Sequence, residues 1–307
     1  MFALTGTPIQ NSLTDLLSLF DFLMPGYLKT FNDFKKIYGK FDLDQKERKH
    51  LENIVSPFLL KRKKDDVLTE LPGKIVLTQS LTMDEEERSI YDAYLNKAKE
   101  AMHSKTLLGK RGGLEVLAAL TRLRQLCVDP STFLEYNTLS SKLDYTIMLI
   151  EEAVAKEHKI LLFSSFKAVL DRISKLLDKE KIRHESITGD TSAANRIALA
   201  KDFNTKDDIK VMLVSLKPGG KGLNLIGADI VIHIDPWWNV AAEDQASNRA
   251  YRIGQTKKVT IYKLVMKNTI EEKGLTLQAM KKDLSDIFDN INAKTSLTDE
   301  DIEYLLD

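Results

Sequence analysis

Two arginines three residues apart, Arg249 and Arg252, carry the most chemistry in this sequence, within the stretch DQASNRAYRIGQ from Asp244 to Gln255. A guanidinium is planar, permanently charged and forked, so such a pair suits a phosphoryl group whose charge grows or shifts during transfer. The spacing places both on one face of a helix or at its entrance. Two arginines alone read first as a solvated helix face; Gln245 before them and Ile253-Gly254-Gln255 after them sharpen the signal.

A second group lies upstream, in VMLVSLKPGGKGLNLIGADIVIHIDPWWN. Gly219, Gly220 and Gly222 let backbone approach a phosphate closely, while Ser215 and Lys217 add a hydroxyl and a charge at a strand end. Alone, this is an ordinary tight turn, and Trp237 and Trp238 fit core anchors as well as contacts. Ser164-Ser165-Phe166 and Thr188-Gly189-Asp190 also fall at strand ends. Their hydroxyls and backbone donors suit phosphate oxygens, contacts that position a protein without reading base sequence, although such residues are often turn formers. Near the start, the threonines of Leu4-Thr5-Gly6-Thr7-Pro8-Ile9-Gln10-Asn11 read as a turn capping the next helix.

Positioning these residues requires alternating helices and strands. The runs KILLFSSF (159–166), HESITG (184–189), KVMLVS (210–215), DIVIHID (229–235) and VTIYKLV (259–265) are short, apolar and separated by helical patterns. That alternation predicts an α/β fold with a mainly parallel sheet, helices on both faces and ligands at the C-terminal strand ends. Before it, residues 1–71 read as helical, with apolar residues at helical spacing from Leu13 to Leu23 and an aromatic-rich helix from Phe31 to Phe41. KIVLTQSLT (74–82) starts a new domain after Leu71-Pro72-Gly73. Helical patterns at 84–103 and 114–127, separated by GKRGG, form a protrusion over about 84–139. The expected division is 1–71, 72–275 and a tail of 276–307, one amphipathic helix followed by the acidic TDEDIEYLLD.

Bulk properties exclude several classes. Forty-five basic and 45 acidic residues cancel, so nucleic-acid contact must be local rather than driven by an overall field. The single cysteine, Cys127, excludes an internal disulfide framework or a cysteine-based zinc site, agrees with a reducing compartment and reads as a small core residue. No apolar run reaches the roughly 18 residues of a membrane span, and no metal-ligand cluster stands out.

In this order the motifs resemble the SWI/SNF family of superfamily-two, helicase-like, DNA-dependent ATPases. Gln245 to Gln255 is similar to motif VI, Val211 to Asn239 to motif V and the segment after it, Ser164 to Phe166 and Thr188 to Asp190 to motif IV and the loop after the following strand, and Leu4 to Asn11 to motif III. Pro57 to Lys74, with Lys61 and Arg62, is similar to the block between the lobes, and LRQLCVDP (123–130) fits the same family. Asn248, Tyr251 and Pro218 depart from the family's usual residues.

The resemblance implies a RecA-like second motor lobe, with residues 1–71 ending the first. It makes Arg249 and Arg252 arginine fingers, and Gln245, Gly220 and Gly222 nucleotide contacts. Ser164, Ser165, Thr188, Gly189, Ser215 and Lys217 become double-stranded DNA contacts, and Thr5, Gly6 and Thr7 couple hydrolysis to lobe movement. ATP and magnesium are the implied cofactors, held mainly by a preceding half, since neither GxxxxGK[ST] nor a DEAH-like tetrad occurs in the sequence. The chain is then expected to be a piece of a longer parent, inactive alone, cytoplasmic and nucleoid-associated if bacterial, nuclear if eukaryotic. Two rivals stand beside this. A non-catalytic DNA- or protein-binding module would have kept the lobe without the motor. A small-molecule nucleotide enzyme would need a glycine fingerprint after its first strand, which KILLFSSF lacks.

Overall fold

The computed structural model describes residues 2–4, 13–38, 45–60, 72–108, 110–216, 223–236, 240–287 and 299–307. The chain divides into two compact units, Met1–Thr69 with Thr276–Ile302, and Glu70–Leu275 with Glu303–Asp307.

In the first unit, α1 (Leu13–Leu23), α2 (Phe31–Tyr38) and α3 (Gln45–Val55) gather Leu16, Leu17, Phe20, Phe34, Tyr38, Leu51 and Val55 into one core. The chain leaves α1 through Gly26, whose φ of +77° is cheap only for glycine. Thr30 caps α2 by accepting the Asp33 N–H at 3.3 Å.

The second unit carries a six-stranded parallel sheet: β1 (Lys74–Leu81), β2 (Ile160–Ser164), β3 (His184–Ile187), β4 (Val211–Ser215), β5 (Ile230–His233) and β6 (Val259–Met266), in the order β1-β6-β5-β2-β4-β3. Strands β2, β4 and β5 are buried along their whole length, as a sheet covered on both faces requires. Alternation splits their side chains between two cores. Ile160, Leu162, Leu213 and Ile232 face one, with α6 (Ser141–Ala155) and α7 (Lys167–Lys179). Leu161, Phe163, Met212, Val214 and Val231 face the other, with α8 (Ala193–Thr205) and α9 (Val240–Ser247). The connection from β2 runs toward β3 and that from β5 toward β6, so the winding reverses between these neighbours, where an open parallel sheet opens a crevice at its C-terminal ends.

Helices α4 (Glu85–Leu108) and α5 (Lys110–Val128) form the hairpin between β1 and α6. Both run longer than their sequence patterns imply, and Gly112 and Gly113 fall in the first turn of α5 instead of a loop. Ala98, Val116, Leu120 and Leu123 are buried, and this packing outweighs a glycine penalty of about 1 kcal/mol per residue. Asp84 and Glu87 cap α4 reciprocally: Asp84 accepts the Glu87 N–H at 2.8 Å and Glu87 accepts the Asp84 N–H at 3.0 Å. Cys127 is 1% exposed, within the core.

The tail differs from its expected form. After α10 (Ile270–Ile287), the acidic ending forms a second helix, α11 (Asp299–Leu306), because Ile302, Leu305 and Leu306 recur at helical spacing and are buried. No helix among the described residues is long and apolar enough to cross a membrane.

Candidate functional site

Ser164 and Ser215 end neighbouring strands in direct register, and the Ser164 carbonyl accepts the Leu216 N–H at 2.9 Å. Ser164 is fully buried, and its hydroxyl accepts the Phe166 N–H at 3.0 Å, so it shapes the turn into α7. Ser165 and Ser215 are each 8% exposed. The Ser165 N–H donates to both oxygens of Asp235 at 3.0 Å. Arg124, from α5, donates to Asp235 at 3.2 Å and to the Ser165 hydroxyl at 3.4 Å, with its guanidinium 5.1 Å from the Phe166 ring centre. Burial drives the Asp235 carboxyl upward, while Arg124 and the serines oppose it by favouring the ionised form.

The loop after β3 is held by side chains that bond its backbone. The Thr188 N–H donates to the Thr191 hydroxyl at 3.1 Å, and Arg196 donates to the carbonyls of Thr188 and Gly189, both at 3.1 Å. Gly189 is exposed, and a methyl group there would meet nothing within 4 Å. Lys167, at the start of α7, pairs with Asp190 at 2.5 Å and joins the loops after β2 and β3.

The arginine segment departs from its expected form. Helix α9 ends at Ser247, and Arg249 and Arg252 lie in the successive turns that follow, so they share no helical face. Arg249 donates its N–H to the Ala246 carbonyl at 3.1 Å, Arg252 to the Ala250 carbonyl at 3.1 Å, and Gly254, at φ +99°, completes the turn. The side chains therefore part. Arg252 and Gln245 are exposed, whereas Arg249 is 8% exposed with its guanidinium 5.7 Å from the centre of the Phe163 ring. Arg249 Nη1 is sealed from solvent with no acceptor among the described residues, and burial lowers its pKa. Behind it, His233 stacks on Phe163 at 5.3 Å and bonds the Ser247 hydroxyl at 2.8 Å. Burial, with Lys263 adding to it, holds this imidazole down at about 3, hence neutral near pH 7.

Sequence reasoning missed the buried ion pairs beneath these loops. Besides Arg124 with Asp235, Lys142 Nζ donates to Glu271 at 2.6 Å and to the carbonyls of Ile234 and Leu264 at 3.0 and 3.2 Å, using all three donors. Lys263 pairs with Glu243 of α9 at 2.5 Å. An acid at the C-terminal end of the strand run DIVIHID was the available signal for Asp235. Thr5, Gly6, Thr7, Lys217, Gly220 and Gly222 lie outside the described residues, as do Lys61, Arg62, Trp237 and Trp238.

Comparison with known proteins agrees with this architecture. Residues 1–132 match the SNF2-related domain and residues 141–254 the helicase conserved C-terminal domain. The chain belongs to the SNF2 family. Among its family relatives, the uncharacterized ATP-dependent helicase MG018 of Mycoplasma genitalium is 36% identical over 310 residues, covering 99% of this chain and 30% of that protein. The Bacillus subtilis protein YwqA is 34% identical over 318 residues, covering 99% and 34%. The SWI2/SNF2 ATPase core of Sulfolobus solfataricus, solved in complex with dsDNA, matches with a TM-score of 0.65 and 31% identity, over 99% of this chain and 66% of that one. The sheet is thus the RecA-like α/β fold of SNF2 helicase-like proteins. The chain spans about a third of the length of these two curated relatives.

Proposed function

We propose that the second unit is the second motor lobe of an ATP-dependent double-stranded DNA translocase, with residues 1–71 ending the first lobe, 72–275 forming the second and 276–307 its tail. The observation that carries this is Arg249. Its charge is buried, and among the described residues its Nη1 atom has no acceptor, a costly state that an incoming phosphate would relieve. Arg252 and Gln245, exposed nearby in sequence, complete a phosphate-facing set, with Gly220 and Gly222 contributing backbone. ATP supplies the phosphoryl group; Arg249 and Arg252 then stabilise charge spread over its oxygens, each as a positioned guanidinium fork.

The preceding half of a longer parent chain would hold most of the nucleotide, with Thr5, Gly6 and Thr7 coupling the halves. Magnesium would be held mainly by that preceding half; among the described residues, no group of three or more His, Cys, Asp or Glu gathers as a metal site. Duplex DNA is gripped through backbone phosphates by Ser165, Thr188, Gly189, Ser215 and Lys217, with Ser164 shaping its loop from within.

The test is steady-state ATP turnover of the parent with and without duplex DNA. DNA should stimulate the wild type, this chain alone should turn over no ATP, and Arg252→Ala should cut turnover by roughly 10³-fold or more while leaving DNA binding intact. Normal turnover in a folded Arg252→Ala parent would favour a non-catalytic binding module instead.

A further inference from the structure

Ser247 is the residue at which the arginine segment stops being a helix. Its carbonyl accepts the N–H groups of Ala250 and Tyr251, each at 3.1 Å, which draws the chain out of α9 into the turns bearing Arg249 and Arg252. Its hydroxyl, on a residue 5% exposed, meets His233 Nε2 at 2.8 Å. His233 is the last residue of β5 and is itself buried, so this contact ties the end of a helix to the end of a strand. The imidazole also stacks on Phe163 of β2, with the two ring planes 16° apart, and the Arg249 guanidinium lies over that same ring. One phenylalanine thus carries both groups, and Ser247 joins the first of them to the turn that bears the second.

The bond has a direction. Burial keeps the His233 ring neutral near pH 7, and its Nδ1 is sealed from solvent with no hydrogen-bond partner among the described residues. A proton on Nδ1 would be a buried donor without an acceptor, so the proton belongs on Nε2 and is donated to the Ser247 hydroxyl. We infer that His233 and Ser247 are positioning residues that hold the turn after α9 so that the Arg249 guanidinium lies against Phe163, set for the phosphoryl group. This rests on the proposed function of Arg249 and names the residues that place it. An arginine side chain has many rotamers to lose, and Nη1 finds no acceptor among the described residues, so backbone turn and ring must do the placing. Ser247→Ala removes the hydroxyl, His233→Phe keeps the stack and removes Nε2, and Ser247→Thr keeps the hydroxyl.

The experiment joins amide hydrogen exchange of this chain to steady-state turnover of the parent at saturating ATP and duplex DNA. In Ser247→Ala and His233→Phe, exchange should quicken at Ala250 and Tyr251, and turnover should fall about tenfold, the kinetic equivalent of one buried hydrogen bond. Ser247→Thr should restore both. In an Arg249→Met background, Ser247→Ala should cost no further turnover, a coupling that general loosening cannot produce because independent effects add. Ile232→Val trims the neighbouring residue of β5, which faces the opposite core, and should leave both readouts as in wild type. Unchanged exchange in Ser247→Ala and His233→Phe, or the same tenfold loss with and without Arg249, would overturn the positioning role. An Arg249→Met parent with wild-type turnover would instead bring down the reading of Arg249, and the positioning role with it. The two failures are told apart by exchange at Ala250 and Tyr251, which in the second case still responds to Ser247→Ala.

Discussion

Arg124 and Arg249 sit in nearly the same physical surroundings. They are 5% and 8% exposed, each stands over a phenylalanine ring at or just after β2, and burial pulls the pKa of each downward. Arg124 faces Asp235 and the Ser165 hydroxyl, so its charge is used within the fold, tying the hairpin to the strand-end loop. Burial is what lowers Arg249, and its Nη1 atom has no acceptor among the described residues. A buried cation matched by a carboxylate is a structural part. One left unmatched marks a place where the fold tolerates a cost that a bound anion would offset.

The largest expected effect breaks the matched member of this pair. Arg124→Met should destabilise the second unit by about 3–5 kcal/mol, because it strands the Asp235 carboxylate in the interior. Urea denaturation followed by a probe in the sheet would measure it, and a loss no greater than that of a surface substitution would show that Asp235 finds another partner.

The same variant carries a pH signature. Burial raises Asp235 from its ordinary 3.8, and a carboxyl raised on folding contributes stability at low pH that is lost as pH rises through its folded value. Removing Arg124 takes away the main opposing influence. The deficit of Arg124→Met relative to wild type should therefore be widest at neutral pH and narrow as pH falls toward 3.8. A deficit constant over that range would mean the carboxyl is not taking up a proton in the folded variant.

The smallest effect has the opposite sign. Arg249→Met keeps apolar contact with Phe163 and removes a buried charge that no acid among the described residues matches, so the folded unit should gain about 1 kcal/mol or stay level. Thermal melting of the two methionine variants side by side gives the contrast directly, and a clear loss in Arg249→Met would show that its charge already has a structural partner.

Much of the fold was legible because buried parallel strands write themselves as short apolar runs: KILLFS, KVMLVS and DIVIHID correspond to β2, β4 and β5. The end of α9 was not, since helical spacing runs on past Ser247 and only backbone turns, closed by Gly254 at positive φ, separate a buried arginine from an exposed one. Nor was the pairing of Arg124 with Asp235, which joins positions 111 residues apart and leaves no local pattern. Ser164 shows a third limit. Its type and place suit a phosphate contact, yet its hydroxyl turns inward to the Phe166 backbone, a local alternative open to any serine at a strand end. The acidic ending hid α11 because its charges dominate a segment whose three apolar residues do the packing.

The claim that Arg249 is held in reserve for a nucleotide is tested most directly by ATP turnover of the Arg249→Met parent at saturating duplex DNA, measured beside its melting temperature. The account predicts turnover lower by about 10³-fold or more in a protein that melts no earlier than wild type. A variant that melts normally and hydrolyses ATP at nearly the wild-type rate would contradict it.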